Sequence, residues 1–409
     1  MRCMCAIFCV LVCAIGAVKH DWPLASRGLR SWRMFMFNTN KRNIESVANK
    51  NVLSMKNKLQ PVLDPKTPFF CPLNNTRSKT RPTSVHQLRP GDIDVIGAIG
   101  DSLSVGVGLT ATKISQVYYP NRGLSPTAGG QSNWREFLTV ANILKEFNPK
   151  LKGYAEEASL NTHKQAQFNV AQTGAMSMDV PHMTRLLVKR IKSHPYVNFE
   201  EDWKLISLMI GPNDFCLNIC YQPDLNEVLE KHRRDLIKTL RILRDSIPRT
   251  FVMLVPAPNL KTLIEFTNRP VQCYLNQLLV CPCLIGERFK KFRPDFIELM
   301  TKWQNIELEV ADLEEFDTDT FTVAVQPFTR NMGFPKTPDN MTDYTFLSED
   351  CFHFSQKGNA MIANSLWNNL LQPVGRKQIT ETRLFDYFIC PTEENPYIFT
   401  KRNSLSTYL

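Results

Sequence analysis

Five short apolar runs punctuate the chain: Ile93–Ile99 (IDVIGAI), Phe168–Ala171 (FNVA), Leu205–Ile210 (LISLMI), Phe251–Val255 (FVMLV) and Phe321–Val325 (FTVAV). Runs of this length and composition suit strands of a sheet covered on both faces. Between them lie segments with helical spacing. Leu225, Val228, Leu229, His232, Leu236, Leu240 and Leu243 form one such series, and Trp134, Phe137, Leu138, Ala141 and Leu144 another. A last helix is expected to begin near Ser355 and run to about Leu371. Strand and helix in alternation predict one doubly wound α/β domain with a parallel sheet, in which reactive groups gather beyond the carboxyl ends of the strands.

The net charge of +10 is unevenly placed: residues 19–90 hold 14 Lys/Arg against 3 Asp/Glu, whereas residues 91–409 hold 34 against 36. The body therefore offers no basic face for nucleic acid, and none is expected as a partner. Met1–Val18 reads as a secretory signal, with Arg2 before an apolar run from Ala6 to Val18 and small Ala14 and Gly16 for cleavage. That run is short of the roughly 20 residues a spanning helix needs, and no second stretch approaches that length. A secreted, extracellular protein without a transmembrane helix in its mature chain is expected.

Cys3, Cys5, Cys9 and Cys13 fall in that signal, which leaves eight of the 12 cysteines for the exported part. An even number favours disulfides; Cys216 and Cys220 are close enough to bridge locally. Cys281-Pro282-Cys283 lacks a matching second pair and no His cluster has zinc spacing, so no metal is expected. Asn74 and Asn340 open glycosylation sequons. Residues 19–90 read as a basic, loosely structured segment, either solvated or removed as a propeptide, with contact to anionic lipid headgroups as the functional alternative. Residues 91–375 form the α/β domain, and residues 376–409 are an extension packing on it.

Candidate chemistry sits at the strand ends. The first run leads into Gly100-Asp101-Ser102-Leu103, where a serine opening a turn presents its hydroxyl and its own N–H to one cavity, as a nucleophile with an oxyanion-binding amide does. A capping turn explains the same four residues at least as often. The second run leads to Gly174, whose unhindered N–H suits a reacting carbonyl, and the third to Gly211-Pro212-Asn213-Asp214, where the Asn213 amide can donate to the same oxygen. Either residue also serves an ordinary turn. Near the C-terminus, Asp350 precedes His353 by three residues, close enough to orient the ring for Ser102. Asp179 and His182 repeat that spacing, but Asp179 reads more simply as a helix N-cap with Pro181 in the first turn.

Ser102, Gly174, Asn213 and His353, in this order and local context, resemble the SGNH (GDSL) hydrolase family. Within it, the stretch from Pro82 to Ser102, Asn213-Asp214-Phe215-Cys216 with Cys220, Cys281-Pro282-Cys283, and Asp350-Cys351-Phe352-His353-Phe354-Ser355 are similar to the phospholipase B group. The resemblance covers roughly residues 70–400. It implies a three-layer α/β/α sandwich and a cofactor-free, metal-independent serine esterase acting on fatty-acyl esters of phospholipids and lysophospholipids. It makes Ser102 the nucleophile, His353 the base and Asp350 its orienting acid. The N–H groups of Ser102 and Gly174 and the Asn213 side chain then form the oxyanion hole. Thr173 stands where the group commonly has Ser, and Ser104-Val105 replaces its usual Thr-Ala. The alternatives are an esterase for triglyceride, small or acetyl esters, and a silent lipid-binding homologue.

Overall fold

The computed structural model describes residues 34–405; the expected signal, with its four cysteines, lies outside the described residues. Four of the five apolar runs are strands: β1 (Ile93–Gly100), β2 (Trp203–Met209), β3 (Thr250–Leu254) and β4 (Phe321–Val325). They pair in parallel in the order β1-β2-β3-β4. The fifth run, FNVA, is not a full strand. It lies along the free edge of β1, with Ala98 N–H donating to Phe168 O and the N–H groups of Val170 and Gln172 donating to Ala98 O and Gly100 O. Gln167 at φ 46° and Gly174 at φ 79° break the extended backbone on either side, so only one isolated bridge, Ala98 to Asn169, is left.

Strand residues alternate between two cores. Val95, Ile99, Ile206, Leu208, Val252, Leu254 and Val323 face helices α3 (Val180–Ser193), α5 (Leu225–Ser246) and α7 (Arg293–Ala311). Ile96, Ala98, Leu205, Met209, Phe251, Met253 and Ala324 face α2 (Val140–Phe147) and α8 (Gln356–Leu370). Helices on both faces of a parallel sheet make the expected α/β/α sandwich. The helix read from Trp134 onward starts later, because Thr139 caps α2 by accepting from Asn142 N–H. The C-terminal helix is as expected, with the Ser355 hydroxyl accepting from Gly358 N–H.

Residues 34–90, read from composition as loose, are ordered where described. Residues 34–44 and Val47–Met55 are helical. Asn49 donates to Thr110 O, Gln60 and Gln356 exchange bonds, and Lys56 and Lys58 both pair with Glu349. A Cys71–Cys390 disulfide ties this segment to the C-terminal extension, which is also held by Trp367 Nε1 donating to Ile389 O. Hydrogen bonding to the body, which the basic composition conceals, accounts for the order.

Among the described residues four disulfides form: Cys71–Cys390, Cys216–Cys281, Cys220–Cys283 and Cys273–Cys351. The local bridge that the spacing of Cys216 and Cys220 allows does not form; both bond instead to the Cys281-Pro282-Cys283 turn. Cys216 lies in the helix Pro212–Leu217 and Cys220 in the separate turn Ile219–Tyr221, and each meets its own cysteine of the later turn.

Candidate active site

β1 ends at Gly100, where a Cβ would lie 2.4 Å from Ser104 Oγ and 2.5 Å from Met209 O, so glycine alone lets the chain turn this tightly against β2. The turn enters a short helix, α1 (Ser102–Val105), whose N-cap Asp101 accepts from Leu103 N–H at 2.9 Å. Ser102 thus stands at the first helical position at the carboxyl end of the sheet and is 3% exposed.

The Asp350–His353 turn comes to meet it. His353 Nε2 is 2.8 Å from Ser102 Oγ, and His353 Nδ1 is 2.6 Å from Asp350 Oδ2. The other carboxylate oxygen, Oδ1, accepts from the N–H groups of Phe352 and His353 at 3.1 Å each. Burial pushes the Asp350 carboxyl up, but the His353 ring and these hydrogen bonds outweigh it and hold the group below its ordinary value. The turn is braced by Ser348 N–H donating to His353 O and Ser348 Oγ donating to Gly108 O. Cys351, at φ 55° in the left-handed region, is bonded to Cys273.

Gly174 lies on an exposed turn at φ 79°, with nothing within 4 Å of where its Cβ would be. Asn213 is in the first turn of α4 (Pro212–Leu217), after Gly211 at φ 142°. Its Nδ2 donates to Ala175 O at 2.9 Å, which fixes the Gly174–Ala175 turn to the end of β2. An Asn amide carries two N–H groups, and one remains after this bond. The rival pair has no such setting: Asp179 accepts from Met176 N–H at the start of α3, and His182 is exposed on that helix.

Beneath the site lie polar groups that the motif reading did not assign. Arg122, buried, donates to Ser159 O, to Asn169 O and Oδ1, and to Ala171 O, and so supports the backbone leading to Gly174. Ser177 N–H donates to the Asp214 carboxyl, and Ser177 Oγ is 2.8 Å from His232 Nδ1. His232 stacks on Trp303 with ring centroids 3.6 Å apart. A histidine inside the apolar series of α5 was the available sequence signal for this network; the spacing alone could not say what it met.

Burial raises the Asp101 carboxyl to about 7 and the Asp214 carboxyl to about 8. Between their ordinary value of 3.8 and these values the folded chain holds protons that the unfolded chain has released. Stability contributed by the neutral forms is therefore lost as pH rises through this window, by at most about 1.4 kcal/mol per pH unit for each group. Asp214→Asn keeps an acceptor for Ser177 N–H and cannot ionise. Urea unfolding at pH 5 and pH 7.5 is expected to show a smaller loss of stability on alkalinisation for this variant than for the parent; equal losses would contradict a neutral Asp214.

The family described as GDSL-like lipase/acylhydrolase matches residues 96–366. The chain belongs to this family. It is the family that the sequence motifs resemble. This GDSL chain is 38% identical over 341 residues to "Phospholipase B1, membrane-associated" of Rattus norvegicus, covering 82% of the chain and 23% of that relative. It is 39% identical over 333 residues to the protein of the same name from Homo sapiens, covering 80% and 22%. The chain thus spans less than a quarter of the length of these curated relatives. A solved phospholipase A1 from Streptomyces albidoflavus aligns over 68% of this chain and 98% of its own at 12% identity and a TM-score of 0.30, too weak a likeness to bear on fold or function. No helix among the described residues is long and apolar enough to cross a membrane.

Proposed function

We propose that this chain is a secreted phospholipase B-like serine esterase that hydrolyses fatty-acyl esters of phospholipids and lysophospholipids. The observation that carries this reading is the line of hydrogen bonds from Asp350 through His353 to Ser102 Oγ at the mouth of the sheet. The relatives named phospholipase B1 support the lipid substrate.

Ser102 Oγ attacks the acyl carbonyl while His353 Nε2 takes its proton, and the Asp350 carboxylate stabilises the resulting imidazolium. The carbonyl oxygen becomes an oxyanion that accepts from the N–H groups of Ser102 and Gly174 and from the free N–H of Asn213. Collapse breaks the ester C–O bond, and His353 returns the proton to the leaving glyceryl oxygen. Water, deprotonated by His353, then releases the fatty acid from Ser102. The chemistry needs no cofactor or metal.

Export is supported by the pairing of all eight cysteines beyond residue 18, since disulfides persist in oxidising compartments. We place the glycans on Asn74 and Asn340, both exposed in turns. Asn213→Ala is the selective test of the oxyanion assignment. Losing one such donor costs roughly 100- to 1000-fold in turnover, so kcat on lysophosphatidylcholine is expected to fall by at least about that factor, with a stability loss of about 1–3 kcal/mol because Ala175 O loses its donor. Full activity in this variant would remove Asn213 from the mechanism. A panel of acetyl, butyryl, triglyceride and phospholipid esters assigns the substrate class: turnover of acetyl esters alone would replace the phospholipase reading.

A further inference from the structure

From Pro270 to Gly286 the chain has no Asp, Glu, Lys, Arg or His. Its first part is helix α6 (Val271–Val280), held to the body by one face: Cys273 and Gln277 are buried, with Gln277 Nε2 donating to Cys351 O at 2.7 Å. The other face is uncovered. Val271 is 73% exposed, Leu275 55%, Leu279 49% and Tyr274 36%. A helix without a single charge that exposes apolar residues at successive turns is costly in water, and contiguous apolar surface of this kind marks a docking face.

Three of the four disulfides among the described residues fasten this segment. Cys273 is bonded to Cys351 inside the Asp350–His353 turn, and Cys281 is bonded to Cys216 in α4, the helix that carries Asn213. Cys283 is bonded to Cys220 just beyond that helix. The apolar helix is thus covalently joined to both loops that supply site residues. The segment Pro282–Ile285 packs between α6 and the turn Glu287–Phe292. There Arg288, Lys290 and Lys291 are exposed against the single acid Glu287, and Phe292 is exposed beside them.

We propose that α6 and the adjoining basic turn are a fixed platform that docks the enzyme on a phospholipid surface, with Val271, Leu275 and Leu279 entering the acyl region and Arg288, Lys290 and Lys291 meeting phosphates. An apolar helical face flanked by cations is the pattern of interfacial binding. The cations beside the apolar face are complementary to a phosphate surface, which neutralises them. Because the disulfides fix α6 to the Asn213 and His353 loops, docking of α6 anchors both loops at the surface. The proposal rests on the reading of this site as a phospholipid esterase.

Its test uses the full chain and two substrates. Val271→Ser/Leu275→Ser/Leu279→Ser is expected to lower turnover of phosphatidylcholine vesicles at least about 30-fold, since three apolar side chains no longer leave water. Turnover of monomeric p-nitrophenyl butyrate is expected to stay within about twofold. Co-sedimentation of the Ser102→Ala protein with the same vesicles is expected to be lost when the three changes are added. Lys290→Glu/Lys291→Glu is expected to weaken sedimentation with phosphatidylserine-containing vesicles at least about tenfold; it decides the matter if the triple variant loses butyrate turnover and so fails to fold. Unchanged vesicle binding in either properly folded variant overturns the proposal. So does a parent dimer that the triple variant converts to monomer, which would make α6 a self-association face. A parent that binds vesicles and cleaves butyrate but no phospholipid would instead remove the substrate reading and leave the platform standing.

Discussion

Alanine at position 102 is expected to lower kcat for lysophosphatidylcholine by roughly 10⁵- to 10⁶-fold, the scale seen when a nucleophile acting as one unit with its base is deleted. Ser102 Oγ is the atom that His353 Nε2 contacts at 2.8 Å, so the base is left without a hydroxyl to deprotonate. What remains is substrate binding and the oxyanion donors, which still outpace bulk water by about 10³- to 10⁴-fold. Folding should be spared. The helix start at Ser102 is capped by Asp101, whose bond to Leu103 N–H does not involve the lost hydroxyl. Kinetics, a urea melt and labelling by a fluorophosphonate on the same sample give the check. Loss of labelling and of turnover with an unchanged melt is the expected result; retention of more than about 1% of activity would put the nucleophile elsewhere.

Asp350→Asn is expected to cost about 10⁴-fold in kcat with the turn still formed. The reason lies in how Asp350 divides its oxygens. Oδ1 accepts from two backbone N–H groups, so an asparagine would keep its carbonyl there and point its NH₂ at His353 Nδ1. Facing a donor, Nδ1 must give up its proton, and Nε2–H would then donate to Ser102 rather than accept from it. Loss of charge also withdraws support from the imidazolium. The variant should bind a non-reactive lysophospholipid ether as the parent does, and its activity should recover partly at high pH, where hydroxide competes with the lost base. Near-parental kcat at pH 7 would mean that another acid orients His353. The same carboxyl sets an acid limit on stability. Its folded value lies below its unfolded one, so its contribution is present above the ordinary carboxylate range and is lost as pH falls through the lowered value. The asparagine variant should lack that acid-side loss.

The sheet was legible because strands buried on both faces must be apolar along their whole length, and β1, β2, β3 and β4 coincide with the runs that announced them within a few residues. FNVA misleads for a related reason: Phe168 and Val170 are buried against β1, which composition reports, but the hydrogen bonding that distinguishes an edge segment from a strand is not written in side-chain polarity. Ser102 and Asn213 were legible as types after strands, and Asp350 and His353 as types before the last long helix, although no single motif decided them. The disulfides were legible as a class and not as pairs, since pairing depends on which helix turns face each other. Least legible was the support under the site. Arg122 makes its bonds to backbone carbonyls at 159, 169 and 171, and Ser177 meets His232 from 55 residues away, contacts that follow from the finished fold alone.

The bond between Cys71 and Cys390 closes a ring around almost the entire hydrolase body, a sequence separation of 319. One proteolytic cut anywhere inside that ring yields two polypeptides still joined at their far ends. Such a nicked enzyme migrates at full mass until a thiol is added, and its fragments stay at high local concentration for re-docking. Proteolytic damage would accumulate as scars before it became loss of the molecule.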